Sequence, residues 1–170
     1  MSIVQMLFSA KGRIRRSQYW LWAIGLAIFF LLIEFTGHHF ITGHPPGDFL
    51  KDMAGWLSFK PEPFNLFMFG VMTLRIWPGI CLSAKRWHDR GKTGWIAGII
   101  VAVSIVLTAA EAYFGPKGTH LSWPIYAVSA LIGLGIGIWV LVECGCLDGT
   151  RGPNAYGPSP KGIDGAADVF

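Results

Sequence analysis

Charge is what this sequence has least of. Only 14% of its 170 residues are Asp, Glu, Lys or Arg, against about 25% in an ordinary soluble domain. A chain this poor in charge is not kept in solution by a polar surface. Cysteine is also scarce. Cys81, Cys144 and Cys146 are an odd number at irregular spacing, which excludes a disulfide framework. Cys144-Gly145-Cys146 has no second half to complete a metal or redox site. There is no internal repeat and no low-complexity tract. A cleavable secretory leader is not expected either. The basic start, Lys11 to Arg16, is followed by an apolar run that is too long and lacks a small-x-small cleavage site.

What is present in quantity is apolar and aromatic. Hydrophobic residues make up 52%, with eight Trp, twelve Phe and four Tyr. The mean hydropathy is +0.47. A membrane-crossing helix needs about 20 mostly apolar residues. Four stretches qualify: 18–35, 64–84, 95–114 and 123–142. They are continuous rather than alternating, so helices are expected and not barrel strands. Ser17, Thr93 and Ser122 stand where helix caps are wanted, and Pro124 falls in a first turn. Gly91 can stop the second helix in a left-handed conformation, which makes spans two and three a tight hairpin.

The cations then give an orientation. Ten of the fourteen Lys and Arg fall in the N-terminal arm, the loop between spans two and three, and the tail. Lys51, Lys60 and Lys117 lie on the opposite side, and Arg75 lies within a span. The positive-inside rule places both termini in the cytoplasm. The expected fold is all-α: a four-helix transmembrane bundle with short interfacial helices. Residues 1–150 form the membrane domain and 151–170 a Gly/Pro-rich cytoplasmic tail, turn-like and then loose. Phe49, Leu50, Met53, Trp56 and Leu57 share one helical face in the outer loop, as expected of an interfacial helix. Ile3, Val4, Leu7 and Phe8 suggest another on the inner leaflet.

Four cations crowd into residues 83–95, S-A-K-R-W-H-D-R-G-K-T-G-W. Lys85, Arg86, Arg90 and Lys92 sit at headgroup level, where each basic residue attracts anionic lipid by about 1 kcal/mol. Asp89 is one turn from Arg86 and can hold its guanidinium, while His88 offers a donor. A purely structural hairpin explains the same residues. Catalysis by His88 and Asp89 is disfavoured, because adjacent helical residues point about 100° apart and no nucleophile is in view. Arg13, Arg15 and Arg16 extend the same basic face. Asn154 and Tyr156 in the tail can dock it against the loop. Glu143 is a natural counter-ion for Arg86 or Arg90.

Within the spans, a central Arg75 must face other helices or water. A network of Glu34, Arg75 and Glu111 would suggest an ion or proton path; alternatively both glutamates reach the outer interface. Pro78 should kink the helix beside Arg75. Gly133 and Gly137 form a small-xxx-small pattern for close packing, within the bundle or between copies in a homo-oligomer. His38, His39, His44 and His120 fall on the outer side without metal-ligand spacing.

Three segments share a further property. F-S-A-K-G-R-I-R-R-S-Q-Y-W from Phe8, K-R-W-H-D-R-G-K-T-G-W from Lys85, and the segment from Glu143 to Pro160 with G-T-R-G-P-N-A-Y-G-P-S-P resemble, in order and spacing, the YhaH/YhaI-like small bacterial inner-membrane proteins, domain of unknown function 805. Lys85-Arg86-Trp87 stands where that family usually has Arg-Arg-Leu, and Ser159 where it often has Asp. The resemblance implies a multi-span bacterial membrane protein and implies no activity. Three function classes remain. One is a non-enzymatic scaffold or regulator whose basic cytoplasmic face binds anionic lipid headgroups or a partner. The others are a small oligomeric channel or transporter using Arg75, Glu34 and Glu111, and a lipid-headgroup enzyme using His88 and Asp89. No cofactor, metal or nucleic-acid partner is expected.

Overall fold

The structure, a computed structural model, describes residues 1–49, 62–114 and 122–162. Among them every regular element is helical. Helix α1 spans Ile3–Phe8, α2 Arg16–Thr42, α3 Pro63–Asp89, α4 Trp95–Phe114 and α5 Ser122–Val140. A 3-10 turn covers Pro46–Asp48, and α5 runs on into a π-helical turn, Leu141–Cys146. Of the outer amphipathic segment only Phe49 is described; Leu50, Met53, Trp56 and Leu57 lie outside the described residues, as do Lys51, Lys60, Lys117, His120 and the tail beyond 162.

The ends of the helices follow local chemistry. Ser2 and Gln5 form a reciprocal capping box on α1, with bonds of 3.1 and 3.2 Å. Ser17 does not cap α2. The helix begins one residue earlier, and the Gln18 side chain instead accepts from the Arg15 N–H at 3.2 Å. Gly43, at φ 66°, closes α2, and Gly91, at φ 72°, follows α3. The Thr93 hydroxyl accepts from the Trp95 N–H at 3.4 Å and starts α4.

Two helices are longer than their apolar runs. α2 continues seven residues past 35, through Gly37-His38-His39. His38 is fully buried there against the rings of Phe49 and Phe64, at 5.4 and 5.3 Å. Gly37 packs so closely on Phe67 that a Cβ would collide with the ring. α3 runs on to Asp89 because Lys85, Arg86 and Trp87 are buried rather than solvated. Tertiary partners, not hydropathy, set both ends.

α2 packs along α3, α3 on α4 and α4 on α5, while the π turn returns to α2 and α3. Two clusters of buried apolar residues lie at the end that carries the charged loop. Met6, Ile14 and Leu82 form one cluster, and Trp87, Ala97 and Cys144 another. Away from that end large apolar side chains stand exposed, Leu31, Leu74 and Leu131 among them. Surfaces of that kind need an apolar solvent or a partner. Among the described residues three helices are long and apolar enough to cross a membrane: Arg16–Thr42, Pro63–Asp89 and Trp123–Cys146. The apolar stretch of α4, Trp95–Glu111, is shorter.

Candidate functional site: a charged clasp and an ion pair between helices

The packed end is organised around one carboxylate. Asp89, the last residue of α3, has a side chain only 4% exposed. One of its oxygens accepts from Arg13, with Nε at 3.1 Å and Nη2 at 3.0 Å. The other accepts from Nη1 of Arg86. Both guanidinium groups are buried as well. Two cations around one anion leave an excess positive charge away from water, which is costly unless dipoles offset it. Backbone carbonyls supply them. Arg13 also donates to Gly152 O at 2.9 Å, Gly157 O at 3.1 Å and Thr150 O at 2.7 Å. Arg86 donates to Cys144 O at 2.7 Å and to Leu147 O. These last two carbonyls belong to the C-terminal end of the π turn, where a helix presents its negative pole.

The clasp thus joins three distant parts of the chain: the N-terminal arm, the end of α3 and the tail. Residues 150–160 form a strap over it. Thr150 donates its N–H to Asp89 O at 2.7 Å. Asn154 and Gly157 pair through two backbone bonds of 3.0 Å in a tight turn. The Asn154 amide donates to His88 O at 2.9 Å. Tyr156 stacks on His88 with ring centroids 3.9 Å apart and planes 6° from parallel. Gly149 lies directly on the Asp89 carboxylate, and any Cβ there would strike it.

The other cations have local tasks. Lys85 is fully buried, and its ammonium donates to Met6 O at 2.8 Å and to Ser9 O, at the C-terminal end of α1. Glu143 receives Arg90 at 3.3 Å and Lys92. Arg86 is committed to Asp89, so of the two counter-ion roles open to Glu143 the one with Arg90 forms. Arg15 and Arg16 are exposed, and they donate to Pro160 O and, at 2.7 Å, to Cys146 O. The Trp20 indole N–H donates to Gly145 O at 3.0 Å, with the ring seated where a Cβ on Gly145 would be. Lys161 pairs with Asp148 at 3.3 Å and holds that carboxyl below its ordinary range. Both side chains are well exposed, so this pair adds little stability.

His88 and Asp89 do not face each other as a catalytic pair would. The Asp89 oxygens are taken by arginines, and His88 Nδ1 lies 3.2 Å from Gly12 O. Of Glu34, Arg75, Glu111 and Glu143, the structure joins only the first two. Arg75 Nη1 meets Glu34 Oε1 at 3.1 Å, between α3 and α2. Glu111 is not bonded to Arg75 and is not among the α4 residues that line the cavity beside it, which run from Ala97 to Ala109. Gly133 and Gly137 face open space, since a Cβ on either meets nothing within 4 Å. Among the described residues no group of three or more His, Cys, Asp and Glu is placed to hold a metal.

Sequence reasoning paired Asp89 with Arg86 from their spacing. It put Arg13 on the same basic face but did not pair it with Asp89, 76 residues away, and it missed Thr150 and the carbonyls of the strap and π turn. Backbone acceptors carry no side-chain signature, so a single sequence holds no signal for them.

The family described as "Protein of unknown function (DUF805)" matches residues 7–158. Uncharacterized protein YiiR of Escherichia coli is 30% identical over 168 residues, covering 99% of this chain and 97% of that protein. Inner membrane protein YhaH of Escherichia coli is 23% identical over 152 residues, covering 89% and 86%. No solved structure matches the chain.

Proposed function

The chain belongs to the DUF805 family, and on that footing we propose that it is a four-span protein of the bacterial inner membrane acting as a non-enzymatic scaffold. Both termini lie in the cytoplasm in this reading. There the clasp holds the N-terminal arm, the hairpin loop and the strap as one rigid plate. The observation that carries the reading is the saturation of the central charges. Arg13, Arg86 and Lys85 spend their donors on Asp89 and on backbone carbonyls, so they build the plate rather than grip a headgroup. The cations left at its rim are Lys11, Arg15, Arg16, Arg151 and Lys161, all exposed. They are suited to anionic headgroups at the inner leaflet, about 1 kcal/mol each. α4 is counted as the fourth span because its 20 residues reach about 30 Å, the thickness of the hydrocarbon layer.

The test is the lipid retained by protein extracted with its surrounding bilayer. Replacing Lys11 and Arg151 together by Gln, both exposed, is expected to lower the share of anionic lipid without lowering the melting temperature. An unchanged lipid profile rejects the lipid-binding rim. A second reading, an oligomeric channel, draws support from the Glu34–Arg75 pair; ion flux into proteoliposomes that vanishes in Arg75→Leu would favour it over the scaffold.

A further inference from the structure

Arg75, Gly79 and Ser83 lie one helical turn apart on a single stripe of α3. This stripe borders two cavities, about 670 Å³ between α3 and α4 and about 340 Å³ between α2 and α3, and all three residues line both. The larger cavity has apolar walls, with Met72, Ile76 and Ile80 on one side and Ile100, Val101 and Ile105 on the other. It extends along α3 from Phe69 to Trp87, about 27 Å at the helical rise. That shape suits an extended chain better than a compact solute, and the volume is within the usual range for a bound small molecule.

The polar groups of the wall are mostly spoken for. Thr73 donates its hydroxyl to Phe69 O at 2.8 Å, and Ser104 to Ile100 O at 2.9 Å. Two N–H donors are not. Trp87, at one end of the cavity, has a buried indole N–H without an acceptor. Arg75 uses Nη1 on Glu34, and its side chain is otherwise 49% exposed. Its Nε–Nη2 edge has no hydrogen-bond partner among the described residues. In lipid such an edge demands oxygen acceptors, and a planar N–H fork matches the two oxygens of a carboxylate.

We propose that this crevice binds a single-chain lipophilic carboxylate, with its head on the free edge of Arg75 and its alkyl chain between α3 and α4. Arg75 is about 20 Å from either end of α3, too deep for a phospholipid headgroup anchored at the interface. A monocarboxylic acid reaches that depth because it is uncharged when protonated, and the guanidinium then favours its ionised form.

The probes are labelled palmitate and hexadecanol, titrated against the full chain in phosphatidylcholine nanodiscs. Palmitate should bind saturably to the wild type, about tenfold tighter than hexadecanol, as one charge-assisted bidentate contact allows. Arg75→Gln should bring palmitate down to the hexadecanol level. Gly79→Leu should weaken both probes, because a Cβ there meets nothing within 4 Å and the side chain grows into the cavity. This second variant leaves the Glu34–Arg75 pair intact and suits a helix better than glycine, so it decides the matter even if Arg75→Gln does not fold. Wild-type palmitate affinity in either variant overturns the proposal, as does hexadecanol binding as tightly as palmitate or an absence of saturable binding.

Discussion

At the scale of single residues, Asp89 is the most consequential position. Its carboxylate is the common partner of two buried guanidinium groups. Asp89→Asn keeps the shape and removes the charge, so two cations lose their anion at once. Breaking a buried pair in this way costs about 3–5 kcal/mol. The expected outcome is a large fall in melting temperature for the detergent-solubilised protein, and an unchanged melt would mean the backbone carbonyls alone suffice. Gly149 gives a second test that involves no charge. Gly149→Ala forces a methyl group onto the same carboxylate and should cost about 1–3 kcal/mol, as overpacking does. Gly135→Ala in α5 meets nothing and should stay within about 0.5 kcal/mol of wild type. Equal effects from the two alanines would show that contact with Asp89 does not set the cost at Gly149.

At the scale of elements, the strap and the π turn belong together. The π turn widens the end of α5 and presents Cys144, Gly145, Cys146 and Leu147 carbonyls to Arg86, Trp20 and Arg16. The strap then closes over the guanidinium groups. Its hold on α3 includes the Tyr156–His88 stack, and aromatic contacts of this kind are worth about 0.5–1.5 kcal/mol. Tyr156→Ala should therefore loosen the strap without unfolding the helices. Trypsin cleavage at the exposed Arg151 is expected to quicken while the helical circular dichroism signal stays level. The helical runs were legible from apolar length alone, and Gly91 and Thr93 marked the hairpin between α3 and α4. The last turns of α2 and α3 were not legible. Gly37-His38-His39 and Lys85-Arg86 look polar in one dimension, and only the rings and carbonyls that surround them in three make them helical and buried.

At the scale of the whole molecule, the three cysteines report how the chain is embedded. Cys81 and Cys144 are buried and Cys146 is exposed at the charged end. A membrane-impermeant maleimide should label one thiol per chain, at Cys146, from the cytoplasmic face only. Labelling from the opposite face would reverse the proposed topology. The gathering of the three charged segments at one end was legible from counting Lys and Arg, because net charge on each side of an apolar span needs no contact map. Which cation meets which acceptor was not, since Arg13 could as readily have been another solvated rim charge like Lys11.

The clasp also has a place in time. Arg13 leaves the ribosome well before its acceptors at Thr150, Gly152 and Gly157, which follow it by 137 to 144 residues. Until the strap has been made, the arm waits without these acceptors. During that interval its charge is free to act as the positive-inside anchor of the proposed topology. Once the strap arrives, the same guanidinium is withdrawn from water and becomes the knot that ties the arm to it. A chain that stops short of Thr150 is left holding an open knot, and so carries a mark of its own incompleteness.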